Sequence, residues 1–182
     1  MPSMELILVR HTSVDVPTGI CYGQSDVPVK ASFPQEADRV REALEQEVTK
    51  GPFDAVYTSP LSRCTRLAEW CGYGASVRDA RLMEMNFGSW ELQPWDGLPD
   101  PETKPWFDDW IRTAPPGGES FLDQRRRVEA WLNEVRSQSY RRVLAFCHGG
   151  IIACAYSLCS GWPMEEVFKN QAPYGGIVHF EA

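Results

Sequence analysis

The chain has 182 residues, of which 43% are hydrophobic and 24% are charged, and its net charge is −7. This composition is typical of a globular protein, and the length predicts one domain, 1–182, with a sizeable core. The negative charge argues against general nucleic-acid binding, because that needs a basic surface to displace counterions from phosphates. An anion site in this protein must therefore be a local cationic pocket.

The first residues give no indication of a targeting signal. Met1-Pro2-Ser3-Met4-Glu5 lacks the basic start of a signal peptide, and the apolar run Leu6–Val9 is too short for a signal peptide or a membrane span. We therefore expect a cytoplasmic protein that does not associate with membranes. None of the six cysteines lies in a C-x-x-C pair, which disfavours a zinc or redox site. Most of them lie within apolar helix or strand patterns, and without a secretory signal we expect them to be reduced core residues.

The first predicted element is a buried strand over Leu6–Val9. Four apolar residues without alternation are typical of a strand that is covered on both faces, as in a parallel sheet. The run ends at Arg10-His11. Ligands of open α/β sheets bind beyond the carboxyl ends of the strands, so this pair is predicted to lie at the mouth of a site. Basic residues can also end a strand simply because they reach water.

A loop and then a helix follow this strand. Residues 12–31 contain several Pro and Gly residues, which favour a loop. A helix is predicted to begin at Pro34 and to end before Gly51-Pro52, since Pro is common in the first turn and Gly is common after the last. Its buried face is predicted to consist of Ala37, Val40, Leu44 and Val48.

The next strand and helix place a second arginine near the predicted site. Phe53–Thr58 is predicted to be a strand, and Ser59-Pro60 is predicted to start a helix with Ser59 as the N-cap. Arg63 then lies in the first helical turn, where free backbone N–H groups and the helix dipole favour an anion. The buried stripe of this helix is predicted to be Leu61, Cys64, Leu67, Ala68 and Cys71.

The middle of the chain is the least regular part. A short strand is predicted within residues 75–80, and residues 89–118, rich in Pro, Gly and Trp, are predicted to form an irregular lid segment. Ser120 is predicted to cap a helix of about twenty residues. The inward residues of that helix are predicted to be Leu122, Val128, Leu132 and Val135.

The last quarter of the chain repeats the strand-then-histidine arrangement. Arg142–Cys147 is predicted to be a strand that ends at His148-Gly149-Gly150, followed by a buried helix over Ile151–Cys159. Gly161 is predicted to end that helix and Pro163 to start a last short one. Gly176–Phe180 is predicted to be a closing edge strand.

Two arginines and two histidines are thus predicted to converge at one edge of the sheet. Arg10, Arg63, His11 and His148 are suited to a phosphoryl group, because guanidinium groups bind phosphate oxygens and a neutral imidazole can attack phosphorus. Cys147 lacks the arginine that a tyrosine-phosphatase-like loop needs, since Ala153 stands there. His179 has no predicted partner.

Five motifs, in this order along the chain, carry a resemblance to a known family. They are Leu8–Thr12, Thr58–Arg63, Leu82–Glu91, Pro116–Ser120 and His148–Gly150. Together they resemble the histidine phosphatase (phosphoglycerate-mutase-like) superfamily over nearly the whole chain. The resemblance implies an α/β fold, a three-layer α/β/α sandwich with a mostly parallel central sheet.

The resemblance also implies a role for each site residue. It implies that His11 becomes phosphohistidine, that Arg10, Arg63 and His148 hold the phosphoryl oxygens, and that Glu84 donates a proton to the leaving alcohol. A solvated loop carboxylate is the alternative interpretation of Glu84. The further substrate-binding residues that the resemblance implies are Gly149, Gly23 and Gln24. The predicted cluster of cations can stabilise a phosphoryl transition state without a metal ion, and we expect neither a metal nor a cofactor.

Some positions depart from the family pattern. Thr12 stands where glycine is usual, Gln24 stands where tryptophan is common, and the loop asparagine has no clear equivalent near Asp15–Pro17. An arginine that is frequent after the second histidine is missing. These departures affect substrate-binding positions and leave the predicted catalytic set complete.

The lid segment bears on the substrate, which we expect to be a small phosphate monoester. Acidic residues outnumber basic ones there, which disfavours the second anionic group of a mutase substrate. Four tryptophans could instead stack on an aromatic ring or merely fill a core: Trp90, Trp95, Trp106 and Trp110. The loop Gly19–Pro28 resembles that of the alpha-ribazole phosphatases. This resemblance implies that the substrate is alpha-ribazole 5′-phosphate, a benzimidazole riboside phosphate, and that the reaction belongs to cobalamin nucleotide-loop assembly.

Three alternatives stay open at this stage. They are a broad sugar or nucleotide phosphatase, a phosphoglycerate mutase-type enzyme, and a phosphate-recognition module without catalysis. Turnover of a chromogenic phosphate ester separates the last from the others. The sequence gives no indication of the oligomeric state.

Overall fold

The computed structural model describes residues 3–182, so the Met1-Pro2 part of the expectation about a targeting signal lies outside the described residues. The described chain forms a five-stranded sheet in the order β3-β2-β4-β1-β5. The strands are β1 (Glu5–Arg10), β2 (Ala55–Thr58), β3 (Val77–Arg78), β4 (Arg142–Cys147) and β5 (Ile177–Glu181). The first four are parallel to one another. The last strand, β5, lies at the edge of the sheet, as predicted, and runs antiparallel to β1.

Four helices of the described residues cover the two faces of this sheet. They are α1 (Phe33–Thr49) and α2 (Ser62–Trp70) on one face, and α4 (Phe121–Ser137) and α5 (Gly149–Ser160) on the other. A fifth helix, α3 (Asp100–Asp108), lies in the lid segment. Alternate residues of β1 point to opposite sides: Ile7 and Val9 pack with α1 and α2, and Leu6 and Leu8 pack with α4 and α5. The continuous apolar run of β1 is thus explained by burial on both faces, and the three-layer α/β/α fold is confirmed.

The register of the central strands places the two histidines side by side. Arg10 at the end of β1 is paired with Cys147 at the end of β4, so His11 and His148 are the next residues at the same edge. The backbone N–H of His11 also donates to the carbonyl of Cys147 at 3.1 Å. The prediction that both strands deliver a histidine to one edge of the sheet is confirmed.

Two details of the first two helices differ from the sequence prediction. Val48 is 44% exposed, and the buried position on that part of α1 is Glu47, whose carboxylate is bound by Arg142. Ser59 is not an N-cap, because α2 begins at Ser62 after an extended Leu61. The Ser59 hydroxyl instead forms a hydrogen bond with His148. A buried carboxylate is tolerated at position 47 because a guanidinium group bonds to it.

The lid segment is more regular than its composition suggests. Residues 100–108 form α3, with acidic residues in its first turn and Pro101 near its start, both of which suit a helix N-terminus. The prolines that led to the prediction of irregular structure therefore mark, in part, where this helix begins. The short helix predicted to start at Pro163 is a three-residue helical turn, Met164–Glu166. The strand predicted within residues 75–80 is only two residues long.

The capped helix and the buried helix agree with the sequence prediction. Ser120 caps α4 through a reciprocal pair of hydrogen bonds with Asp123, and Gly161 ends α5 in the left-handed conformation. Phe121 is the inward residue at the start of α4, whereas Leu122 is only half-buried. Among residues 3–182, no helix is long and apolar enough to cross a membrane.

Candidate active site

A cavity of about 740 Å³ opens at the carboxyl ends of β1 and β4. Its polar end is formed by Arg10, His11 and Glu84, and the glycines that start α5 complete this end. Arg63 and His148 are completely buried and do not line the cavity. The structure thus brings the five predicted catalytic residues to one place but exposes three of them to the cavity.

The imidazole of His11 is held in one orientation and one protonation state. Its Nδ1 lies 2.8 Å from the carbonyl oxygen of Thr12. Because a carbonyl can only accept, Nδ1 carries the hydrogen and Nε2 keeps its lone pair. Burial, together with the charges of Arg63 and Arg10, lowers the pKa of His11 to about 3. His11 is therefore a neutral imidazole with a free nitrogen at neutral pH.

His148 packs against His11 and is fixed from behind by Ser59. The two rings are 5.1 Å apart between centroids, and His148 Nε2 lies 2.8 Å from the Ser59 hydroxyl. Burial, with the nearby His11 and the Arg63 charge, lowers the pKa of His148 well below its usual value. When Nε2 accepts from the Ser59 hydroxyl, Nδ1 carries the hydrogen and can donate it.

Both arginines are anchored to backbone carbonyls. Arg10 donates to the carbonyl of Ala172 at 2.7 Å, and its guanidinium lies 4.2 Å from the centre of the Tyr174 ring. Arg63 donates to the carbonyls of Ser25 and Gly23. These contacts fix both cations beside His11, which makes this end of the cavity cationic although the protein is acidic overall.

Three of the buried donors without partners belong to the residues around His11. Within residues 3–182, Arg10 Nε, Arg63 Nε and His148 Nδ1 are buried and make no hydrogen bond. Buried polar groups in proteins are normally bonded, so each exception calls for an explanation. Three unpartnered nitrogens on cationic or hydrogen-donating groups fit the oxygens of a bound phosphoryl group.

The loop that carries Gly23 and Gln24 is bound to the lid segment instead of facing the cavity. Their backbone N–H groups donate to the carboxylate of Glu91 at 3.0 and 2.8 Å, and the Ser25 hydroxyl also donates to it. A Cβ at Gly23 would lie 1.8 Å from the carbonyl oxygen of Met85. The backbone N–H groups of Gly23 and Gln24, the residues that the resemblance assigns to substrate binding, are therefore occupied by Glu91, and Gly23 is needed for close packing.

Glu84 lines the cavity with its carboxylate held by three donors. Oε1 accepts from the Met85 N–H at 2.9 Å and from Gln124 Nε2 at 3.0 Å, and Oε2 accepts from the Gly150 N–H at 3.2 Å. Glu84 is thus not the freely solvated loop carboxylate of the alternative interpretation. Sequence reasoning missed Gln124, although a glutamine within the apolar stripe of α4 is the signal that could have identified it.

Gly149 lines the cavity beside Arg10. A Cβ at Gly149 would lie 3.4 Å from the Arg10 guanidinium carbon, at the edge of ordinary van der Waals contact. A Cβ at Gly150 would lie 2.1 Å from Glu84 Oε1, so of these two glycines only Gly150 is required for close approach.

Aromatic rings form the other end of the cavity. Trp95 and Trp106 stack with centroids 5.6 Å apart and an interplanar angle of 27°, and Phe107 packs on both. Trp110 packs edge-on against Phe168, with the ring centroids 5.3 Å apart. The rings that line the cavity are Phe87, Trp95, Trp106, Phe107, Trp110, Phe168 and Tyr22.

Trp90 is an exception among the four lid tryptophans. It is completely buried and does not line the cavity, and its indole N–H donates to Glu102 of α3. The core-filling alternative therefore holds for Trp90. The other three tryptophans are placed where a ligand in the cavity would meet them.

Cys147 and His179 do not line the cavity. The six cysteines are free, and burial raises the pKa of Cys147 well above its ordinary value, which makes it a poor nucleophile. His179 does have a partner, contrary to the sequence prediction: its Nε2 lies 2.9 Å from Glu47 Oε1. Arg142 donates to both Glu47 and Glu5 there, so a guanidinium occupies the centre of this carboxylate group.

The buried histidines predict a loss of stability at acidic pH. The folded pKa of His11 is about 3 and the unfolded value is about 6.5, so the unfolded chain binds more protons between these values. The contribution is complete above pH 6.5 and is lost as the pH falls through that window. When the pH is lowered from 6.5 to 4.5, the unfolding free energy of both proteins falls. We expect this fall to be roughly 2 kcal/mol smaller in the His11→Asn variant than in the wild type, because the variant lacks the titrating imidazole.

Urea unfolding at the two pH values measures this difference. Wild type and His11→Asn share all carboxylates, so acid titration of those groups cancels in the comparison. An equal loss in both proteins would mean that His11 does not stay neutral in the folded state.

Comparisons with known proteins agree with this geometry. Residues 6–182 match the family described as Histidine phosphatase superfamily (branch 1). The putative phosphoserine phosphatase 2 of Hydrogenobacter thermophilus is 28% identical over 97% of this chain and 89% of its own. A probable phosphoglycerate mutase GpmB of Klebsiella pneumoniae is 32% identical over 88% of this chain and 76% of its own.

Solved structures show the same fold. The alpha-ribazole phosphatase from Shigella flexneri superposes with a TM-score of 0.85 at 25% identity, covering 97% of this chain and 89% of the other. The family match spans β1 to β5 and includes both strand-end histidines, both arginines and Glu84. The chain belongs to the histidine phosphatase superfamily and has the architecture of its phosphatases and mutases.

Proposed function

We propose that the protein is a phosphomonoesterase that acts through a phosphohistidine on His11. In the first step Nε2 of His11 forms a bond to phosphorus, the bond from phosphorus to the ester oxygen breaks, and Glu84 gives that oxygen a proton. In the second step Glu84 takes a proton from water as the water oxygen bonds to phosphorus. The N–P bond then breaks, and phosphate and neutral His11 are formed.

The proposed roles of the cations follow from their contacts. Phosphoryl transfer has a loose transition state, so catalysis depends mainly on positioning and on positive charge around the equatorial oxygens. Arg10, Arg63 and His148 surround His11 and keep three buried nitrogens without partners among residues 3–182. This set of donors supports a mechanism in which no metal ion is required.

The shape of the cavity supports a substrate whose leaving alcohol carries an aromatic ring. The space next to His11 and Glu84 continues, within about 740 Å³, along the Trp95–Trp106 pair. This is the observation that carries the substrate proposal. We propose alpha-ribazole 5′-phosphate, a benzimidazole riboside phosphate, which is also the type of substrate named for the Shigella flexneri structure.

The charges in the cavity do not favour a second anionic group on the substrate. Among residues 3–182, the cationic side chains that line the cavity are those of Arg10 and Lys169. Lys169 already forms an ion pair with Glu166. A phosphoglycerate or phosphoserine carboxylate would find little positive charge away from His11. We therefore expect a clear preference for the benzimidazole substrate over 3-phosphoglycerate and phosphoserine.

Truncating a cavity tryptophan tests the substrate proposal. Stacking on one indole contributes about 1 kcal/mol, so Trp106→Ala is expected to raise KM for alpha-ribazole phosphate roughly 5-fold. Glycerol phosphate, which does not reach the ring, is expected to keep its KM. The matched control is Trp70→Ala, since Trp70 lies on α2 and is absent from the cavity lining.

Steady-state kinetics on a panel of phosphate esters measures both effects. Comparable kcat/KM values for alpha-ribazole phosphate, phosphoserine and 3-phosphoglycerate would contradict the substrate and leave a broad phosphatase. A protein that turns over none of them, nor a chromogenic ester, would instead be a phosphate-recognition module.

A further inference from the structure

Gln124 is a polar residue within the apolar face of α4. Its side chain is completely buried, and the same face carries Phe121, Val128 and Leu132. A buried amide costs free energy unless both of its ends are bonded. Gln124 Nε2 donates to Glu84, but its Oε1 has no partner among residues 3–182. The glutamine therefore carries a cost in stability that an apolar residue of the same length would not.

The two oxygens of Glu84 are not equivalent. Oε1 accepts two hydrogen bonds, from Met85 N–H and Gln124 Nε2, at 2.9 and 3.0 Å. Oε2 accepts one, from the Gly150 N–H at 3.2 Å. A carboxylate oxygen offers about two lone-pair sites, so those of Oε1 are both in use. A proton can bind to Oε2 without breaking a hydrogen bond, whereas on Oε1 it would displace a donor.

We infer that Gln124 is a positioning residue that holds Glu84 through Oε1 and leaves Oε2 to carry the proton. This inference rests on the proposed function, in which Glu84 first gives a proton and then takes one. In the first step the Oε2 proton moves to the leaving oxygen as the P–O bond breaks. In the second step Oε2 accepts a proton from the attacking water, and Gln124 keeps its bond to Oε1 throughout.

The close approach of three elements makes this contact possible. A Cβ at Gly150 would lie 2.1 Å from Glu84 Oε1 and 2.8 Å from Gln124 Nε2. The first turn of α5, the first turn of α4 and the loop of Glu84 thus meet at one carboxylate. Arg127 of α4 fixes the same loop, since it donates to the carbonyl of Glu84 at 3.1 Å.

In addition to the neutral amide of Gln124, several charged or titratable groups surround Glu84. Arg127 pairs with Glu119, so their charges offset each other. The others, from the elements packed around the site, are Arg10, His11, Cys64, Cys147, His148 and Cys154. They are the same in wild type and in each variant below, so a change in pH dependence reports on position 124.

The first test replaces Gln124 with methionine, which has the same length but no donor. The kcat/KM for glycerol phosphate, whose alkoxide is a poor leaving group, is expected to fall roughly 10-fold to 100-fold, the effect of one hydrogen bond to a charged group. p-Nitrophenyl phosphate needs little proton donation and is expected to lose less than about 3-fold. Thermal stability is expected to stay equal or to rise, because no amide oxygen is left without a partner.

The matched control is Val128→Ala, one turn further along the same face. It is expected to lower Tm by creating a cavity and to keep the wild-type ratio between the two esters. If Gln124 were only a packing residue, Gln124→Met would behave like this control. A lower Tm with equal losses on both esters would therefore overturn the inference.

The second test is a conservative exchange, Gln124→Glu. At acidic pH its protonated carboxyl can donate to Glu84 Oε1, and at higher pH two ionised carboxylates repel and the donor is gone. Relative to wild type, activity on glycerol phosphate is expected to recover near pH 5 and to fall steadily towards pH 8. Gln124→Met is expected to show no such recovery, and a Gln124→Glu profile parallel to that of the wild type would contradict a donor role.

Glu84→Gln, measured in the same assays, distinguishes a failure of the positioning role of Gln124 from a failure of the proposed function. If Glu84→Gln discriminates between the esters but Gln124→Met does not, the positioning role is wrong and the proposed function stands. If Glu84→Gln affects both esters alike, the proposed function fails, and the role of Gln124 fails with it.

Discussion

Replacing His11 with asparagine is expected to abolish turnover and covalent labelling. His11 is neutral, its Nε2 is free, and it is flanked by Arg10, Arg63 and His148, so the geometry leaves it as the nucleophile of the proposed reaction. Without a nucleophile we expect a loss of roughly 10³-fold or more in kcat. Wild-type protein incubated with a ³²P-labelled ester and quenched is expected to retain label that is stable to base and lost in acid.

The control for this experiment is His179→Asn. His179 lies on β5 against Glu47 and outside the cavity lining, so the same substitution there is expected to keep both label and turnover. Labelling is carried out after exhaustive chelation, because the proposed mechanism requires no metal. Label mapped to a serine or to Cys147, or activity that chelation removes and magnesium restores, would contradict the mechanism.

Replacing Glu84 with glutamine is expected to impair the enzyme selectively. In the proposed mechanism the amide cannot give a proton to the leaving alcohol, whereas the proposed phosphoryl-binding residues Arg10, Arg63 and His148 are unchanged. Alkyl esters are expected to lose about 10²-fold to 10⁴-fold in kcat/KM, the usual contribution of general acid catalysis. Aryl phosphates, which leave as stable phenolates, are expected to lose far less in that parameter.

Pre-steady-state and steady-state rates on paired esters measure this selectivity. Glu129→Gln, a change on the exposed side of α4, is the matched control and is expected to resemble the wild type. Equal losses on alkyl and aryl esters in Glu84→Gln would show that Glu84 is not the general acid.

Most of the sheet could be predicted from local patterns. A run such as Leu6–Val9 is buried on both faces because helices cover both sides of the sheet, and this leaves a continuous apolar signal in the sequence. The capping pattern at Ser120 likewise uses contacts within four residues. Elements whose stabilising contacts are local or periodic were therefore predicted with nearly correct bounds.

Two of the errors concern residues whose long-range partner overrides a local pattern, and a third has a local cause. Ser59 has the sequence of an N-cap, but its hydroxyl bonds to His148, 89 residues away. Glu47 takes the buried place predicted for Val48 because Arg142 and His179 bond to its carboxylate from other strands. The proline-rich start of α3 was predicted as irregular because prolines mark both loops and first helical turns.

The sequence by itself determined the family and the strand ends that carry Arg10, His11 and His148, because each of these signals is a short run of residues. The tertiary structure alone decided which groups are free to act. Gly23 and Gln24 give their N–H groups to Glu91, 68 and 67 residues away, and Gln124 bonds to Glu84 across 40 residues. A hydrogen bond depends on distances of about 3 Å in space, which no spacing along the chain encodes.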